Sequence, residues 1–267
     1  MRLLKKLWAF LVRDFLSDVS YRFAFVLQLG GMLFAVCGFY FFSKMVNPAT
    51  EGLDGIEPFP WLLVGVAFQI YFSTALSAFS DKVRSEQVLG TLEAMLVSPT
   101  PTSVVIFSST AYEFTWGALR LVIYLLSAVF IFGVHLDVKS PLALACGIVL
   151  TLLSSAGIGM LSASFILYFK RGDPVNFILS MGTMFFGNVF FPSKLLPDSV
   201  RAISAWLPMS WSLKVVRGAL LKGASFSEVS GELGRLAVLT AILVPLGLFG
   251  ARIAIRRAKR EGSLVQY

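Results

Sequence analysis

Apolar runs long enough to cross a bilayer alternate with short polar breaks along most of the chain. Residues 23–42 and 58–80 carry no charge. A third run, about 104–134, holds only Glu113 and Arg120 as charged residues, and a fourth lies within 141–169. The fifth starts at Pro174, a residue accepted in a first helical turn, and ends near Phe191-Pro192. The last covers about 236–255, with Pro245 inside it and Arg252 close enough to its end to snorkel. A helix needs roughly 20 apolar residues to cross the hydrocarbon, so the pattern predicts six transmembrane helices.

Two segments depart from this pattern. Residues 1–18 place Leu4, Leu7, Trp8, Leu11, Val12 and Phe15 on one side of a helix and Arg2, Lys6 and Arg13 on the other. A basic face opposite Trp and Phe predicts a helix lying in the membrane interface. Residues 193–235 are apolar only over 202–213, too short to cross, and Pro197 and Pro208 break them. Two short helices dipping into the outer leaflet satisfy both facts, provided that protein shields their backbone. With no internal repeat or low-complexity linker, the expected fold is one domain over 1–267, an all-α polytopic membrane protein.

Composition agrees. The chain is 57% hydrophobic and 14% charged, with a mean hydropathy of +0.79, against about 25% charged in soluble domains. Its net charge of +8 does not point to nucleic acid, because the basic residues sit at the ends of apolar runs. Placing both termini inside puts fourteen Lys and Arg on the inner side and eight on the outer, six of those eight within 193–235. That bias predicts cytoplasmic termini. Cys37 and Cys146 fall in apolar runs and read as small hydrophobes. Arg13 and Asp14 interrupt the N-terminal run, and no cleavable signal is expected.

The longest informative polar break is 81–101. As a helix it puts Val88, Leu89, Leu92, Met95 and Leu96 on one side, Glu86, Gly90 and Glu93 on the other, and Arg84 at the boundary. Ser98-Pro99 ends it, since a residue before proline is pushed out of helical geometry. A plain interfacial loop helix and an element pushed by a soluble partner both fit that geometry. The wording adds something: Arg84, Gly90-Thr91-Leu92-Glu93 and Ser98-Pro99 resemble the signature of the type-2 class of ATP-binding-cassette (ABC) exporter permeases. A second set, Phe190-Phe191-Pro192, Leu196-Pro197, Leu207-Pro208 and Arg217, is similar to the pattern after that family's fifth span, with Leu207 where asparagine is common.

The resemblance implies a coupling helix at 81–101, with Arg84, Glu86, Gly90, Thr91, Leu92, Glu93, Ser98 and Pro99 toward an ATP-hydrolysing subunit. It also implies outer re-entrant helices over about 195–222, carrying Phe191, Pro192, Pro197, Pro208 and Arg217. The partners it implies are two ATP-binding subunits holding ATP and Mg, a second permease copy, as a homodimer or a heterodimer of related permeases, and the lipid of a cytoplasmic membrane. The family includes drug, lipid and polysaccharide exporters. An amphipathic or hydrophobic substrate is expected here, a polysaccharide or lipid-linked glycan being the alternative, because the chain has 25 Phe against 7 Tyr and 5 Trp.

Little in the sequence carries catalysis. There is one histidine, no Cys/His cluster, no metal-ligand spacing and no phosphate-cradling G-x-x-x-x-G-K-[ST], so any ATP hydrolysis belongs to another subunit. Glu113 and Arg120, seven apart on one helix face, are about 10.5 Å apart along the axis. They read either as structural charges or as part of a conduit or gate. Met181, Phe185, Phe186 and Phe190 of the fifth run read as packing, as lipid-facing, or as an adaptable substrate surface. Asn176 and Asn188 need polar partners there. An ion-coupled transporter or channel would rest on Glu113 and Arg120 alone. A membrane enzyme would need clustered His, Asp or Ser near an interface.

Overall fold

The computed structural model describes residues 12, 15, 16, 22–46, 53, 55–88, 102–169 and 174–261. Among them the elements are helical: α1 (Arg22–Ser43), α2 (Pro58–Val88), α3 (Thr102–Phe132), α4 (Pro141–Phe169), α5 (Pro174–Phe186), a 3-10 turn (Ser193–Leu195), α6 (Asp198–Trp206), α7 (Pro208–Leu221) and α8 (Ser230–Glu261). Helices α1 to α4 and α8 are long and apolar enough to cross a membrane, and α5 is a shorter apolar helix. The chain is the all-α polytopic membrane protein its apolar runs predict. Residues 12, 15 and 16 are helical, and the rest of 1–18 lies outside the described residues.

Helix α2 is the core. Of its apolar window 78% is buried inside the protein, against 18% for α1 and 17% for α8, which turn most of their surface outward. Phe68, Tyr71, Phe72, Leu76 and Phe79 of α2 are all buried, as expected of a helix that is apolar all round. Helix α4 lies between α2 and α8. Its run Ser154-Ser155-Ala156-Gly157-Ile158-Gly159 is the packing face that its small residues predict. A Cβ on Gly157 would stand 2.8 Å from the Leu243 carbonyl of α8, and one on Gly159 would run into the Leu76 carbonyl oxygen of α2. Gly247 of α8 in turn backs onto Gly157. Without a hydrophobic force between helices in lipid, such close backbone approach supplies the packing energy.

The long helices alternate in direction. At the end where α2 begins, hereafter the upper end, Tyr40 of α1, Phe59 of α2 and Phe132 of α3 pack with ring centroids 5.2, 4.7 and 5.0 Å apart. At the lower end Phe79 of α2 meets Phe114 of α3 at 5.6 Å. The 3-10 turn, α6 and α7 gather at the upper end, since Asp137 N–H, between α3 and α4, donates to Leu220 O of α7 at 2.9 Å.

Three boundaries differ from the sequence expectation. No separate helix starts at Asp81: α2 continues to Val88. No glycine or proline falls between Gly65 and Gly90, and charged residues are tolerated on an exposed helix surface. Helix α5 stops at Phe186 after 13 residues, about 20 Å of rise against a hydrocarbon layer of about 30 Å. Its last bond, Gly187 N–H to Thr183 O at 2.8 Å, precedes Asn188 at φ 64°, a left-handed residue that turns the chain out of the helix. Helix α8 begins at Ser230, a turn and a half before the apolar run itself.

Candidate functional site

The upper end is assembled by prolines and one arginine. Pro192 precedes the 3-10 turn, Pro197 caps α6, and Pro208 opens α7, where its missing N–H costs nothing. Helices α6 and α7 occupy 198–206 and 208–221, within the 195–222 expected for two short helices. Helix α7 is buried along nearly its whole length, so the protein supplies the shielding that a short backbone segment needs.

Arg217 of α7 holds the site together. It is 3% exposed. Its Nε and Nη2 donate to Trp61 O at 3.1 and 2.9 Å, Nη1 donates to Asn188 O at 2.6 Å, and Nη2 also reaches Val189 O at 3.2 Å. The guanidinium lies 3.5 Å from the centroid of the Trp61 ring, a cation–π contact in a desolvated place. One side chain therefore ties the first turn of α2, the segment after α5, and α7. The carbonyls it takes at 188 and 189 belong to the turn that follows α5, where the backbone has left the helix and needs donors from elsewhere. Gly65 makes room, since a Cβ there would meet Val189 O at 2.7 Å and collide with Arg217 Nη2. Asn188 Oδ1 accepts from Ser193 N–H at 3.0 Å, which fixes the following turn. Phe190 packs on Phe39 at 6.3 Å and against the cluster of Leu53, Trp61 and Leu62, while Phe191 stays half exposed. Arg217 also forms part of the wall of an open cleft of about 360 Å³.

Helix α5 has two unlike faces. Phe177, Ile178, Met181 and Phe185 are exposed on one, while Phe186 is half-buried. The other is polar and sits on α2: Asn176 Nδ2 donates to Ser80 Oγ at 2.7 Å, and Gln69 Nε2 donates to Thr183 Oγ1 at 3.0 Å and Ser180 O at 3.2 Å. The partners that Asn176 and Asn188 require are thus a serine on α2, and Ser193 with Arg217. Sequence reasoning passed over Gln69, Trp61 and Gly65. Gln69 had a signal, as the one amide in an uncharged span.

The remaining candidates fall elsewhere. Glu113 and Arg120 are half-buried on α3, with the Arg120 guanidinium 5.5 Å from the centroid of the Trp116 ring. Arg84 is exposed near the end of α2, and Glu86 lies in its last turn. Gly90, Thr91, Leu92, Glu93, Ser98 and Pro99 lie outside the described residues. Cys37 and Cys146 are free and half-buried.

No curated protein matches the chain. The family model for ABC-2 type transporters matches residues 3–221, from the N-terminal segment to the end of α7, and the chain belongs to that family of membrane permeases.

Proposed function

We propose that this chain is the permease subunit of an ATP-driven exporter in the cytoplasmic membrane, working as a two-fold pair with two separate ATP-binding subunits that hold ATP and Mg. The observation that carries the reading is the lower end of α2. Its apolar window closes at Lys82, yet the helix continues to Val88 with Arg84 and Ser85 exposed. The pattern of Arg84, Gly90-Thr91-Leu92-Glu93 and Ser98-Pro99 therefore begins outside the apolar layer, where a soluble subunit can reach it. The same end carries Lys82, Arg252, Arg256 and Arg257, which supports a cytoplasmic location for it and for both termini. In a two-fold pair the exposed Met181 and Phe185, with Phe186, Phe190, Glu113 and Arg120, are the candidate path. Those aromatic and thioether side chains favour an amphipathic or hydrophobic substrate over a sugar chain.

Copurification with the ATP-binding subunit and ATP turnover in liposomes test this. Reversing contact charges with Glu86→Lys and Glu93→Lys together is expected to weaken copurification by about tenfold or more, with membrane insertion unchanged. Full transport and full copurification by that double variant would overturn the assignment.

A further inference from the structure

The upper end holds a concentration of positive charge that topology does not explain. Residues 193–235 contain six basic residues, Lys194, Arg201, Lys214, Arg217, Lys222 and Arg235. Five of them line two adjoining clefts, of about 360 and 330 Å³, which share Ser193, Lys194 and Lys214. Glu228 and Glu232 also line the larger cleft. The Glu228 carboxylate is engaged by Ser225 N–H at 2.7 Å, and this hydrogen bond holds it below the usual carboxylate range. Arg201 is paired with Asp198 at 3.1 Å. Arg217, buried in the wall, is met by carbonyls and a ring rather than by a carboxylate. Lys194, Arg217, Lys214 and Lys222 against two glutamates leave the larger cleft positive.

The second cleft runs into a third, of about 570 Å³, through Ala205 and Trp211. This one is apolar apart from Arg235, with Trp206, Val238 and Leu239 along it. Trp206 is 75% exposed and Val238 60%. Cationic and apolar ends thus join in one trough at a membrane–water boundary, where tryptophan is favoured.

We infer that the trough formed by α6, α7 and the start of α8 binds an acidic phospholipid of the surrounding bilayer, its phosphate among Lys194, Lys214 and Lys222 and an acyl chain along Trp206 and Val238. Charge complementarity selects the headgroup, and the apolar extension selects a lipid over a free anion. Basic residues near a membrane surface attract anionic lipid by about fivefold each, or about a hundredfold for three.

The test uses purified full-length protein in mixed micelles, without ATP, so that its outcome does not depend on the transport reading. Retained lipid is weighed by native mass spectrometry after titration with phosphatidylglycerol or phosphatidylcholine. The wild type is expected to retain phosphatidylglycerol preferentially and to lose it as ionic strength rises. Lys194→Gln, Lys214→Gln and Lys222→Gln combined should lower that affinity by about a hundredfold and leave phosphatidylcholine unchanged. Trp206→Ala should weaken long-chain more than short-chain phosphatidylglycerol. Equal retention of acidic lipid by the wild type and the triple variant would overturn the inference. So would displacement of the lipid by millimolar inorganic phosphate, which would make the site one for a free anion.

Discussion

Arg217 shows how much of this fold depends on a few donors. A buried charge is costly unless its donors are all used, and the guanidinium fork reaches three carbonyls in two separate segments. Arg217→Ala would remove the donor from those buried carbonyls at about 1–3 kcal/mol each, a loss comparable with the whole stability of many folds. It is therefore expected to abolish monodisperse protein in detergent. Lysine keeps the charge but sets its three donors on one nitrogen instead of a planar fork, so Arg217→Lys should fold with a clearly lowered thermal midpoint. Gly65→Ala adds a methyl against Val189 O and should cost about 1–3 kcal/mol in the same assay. Wild-type melting for both Arg217→Lys and Gly65→Ala would show that the clamp contributes nothing. The arginine was visible in the sequence as part of a motif. Its partners were not, because Trp61 lies 156 positions away and accepts through its backbone.

Among the elements, α5 is the one whose attachment is unusual. It is too short to cross alone, and beside the apolar contact of Leu179 with the core it adheres to α2 through hydrogen bonds of Gln69, Ser80, Asn176, Ser180 and Thr183. Interhelical hydrogen bonds in membranes contribute about 0.6–2 kcal/mol, so this attachment is moderate and breakable. Gln69→Leu and Asn176→Ala are each expected to lower stability by about 1 kcal/mol and by more together, since the two bonds secure the same helix. Hydrogen exchange of α5 amides should rise in both variants, with α4 and α8 unaffected. Unchanged α5 protection in the double variant would contradict this attachment. The periodicity of α5 was legible as a Phe/Met stripe. That Phe177, Met181 and Phe185 of it face outward follows only from which side the polar residues claim.

At the scale of the whole molecule, basic residues gather at both ends, Lys82, Arg252, Arg256 and Arg257 at the lower and Lys194, Lys214 and Lys222 at the upper. Helix directions place the ends of α2, α4 and α8 and the start of α5 together at the lower end. Single cysteines at Ser98 and Gly172, in a background without Cys37 and Cys146, are expected to resist an impermeant thiol reagent in intact cells. A cysteine at Gly52, on the side where α1 ends and α2 begins, should react. Reaction at Gly172 from outside would reverse this orientation. Five of the six expected spans, the packing face of α4 and the interruption by Pro197 and Pro208 followed from the sequence, whereas the sixth, α5, is too short to cross. Run length, small residues and proline act locally, and a bilayer leaves helices as almost the sole option. Helix α2 runs past its apolar window because nothing in its chain stops it, which is also a local effect. Two features were decided only by tertiary structure. Helix α5 ends early where Asn188 turns the chain out of the helix, and Arg217, far along the sequence, donates to the carbonyls of that turn. The basic residues of 193–235 converge on one trough because α6 and α7 fold back beside α8. Local pattern fixed what each segment could be, and long-range hydrogen bonds and close backbone contacts decided where each one ends and what it faces.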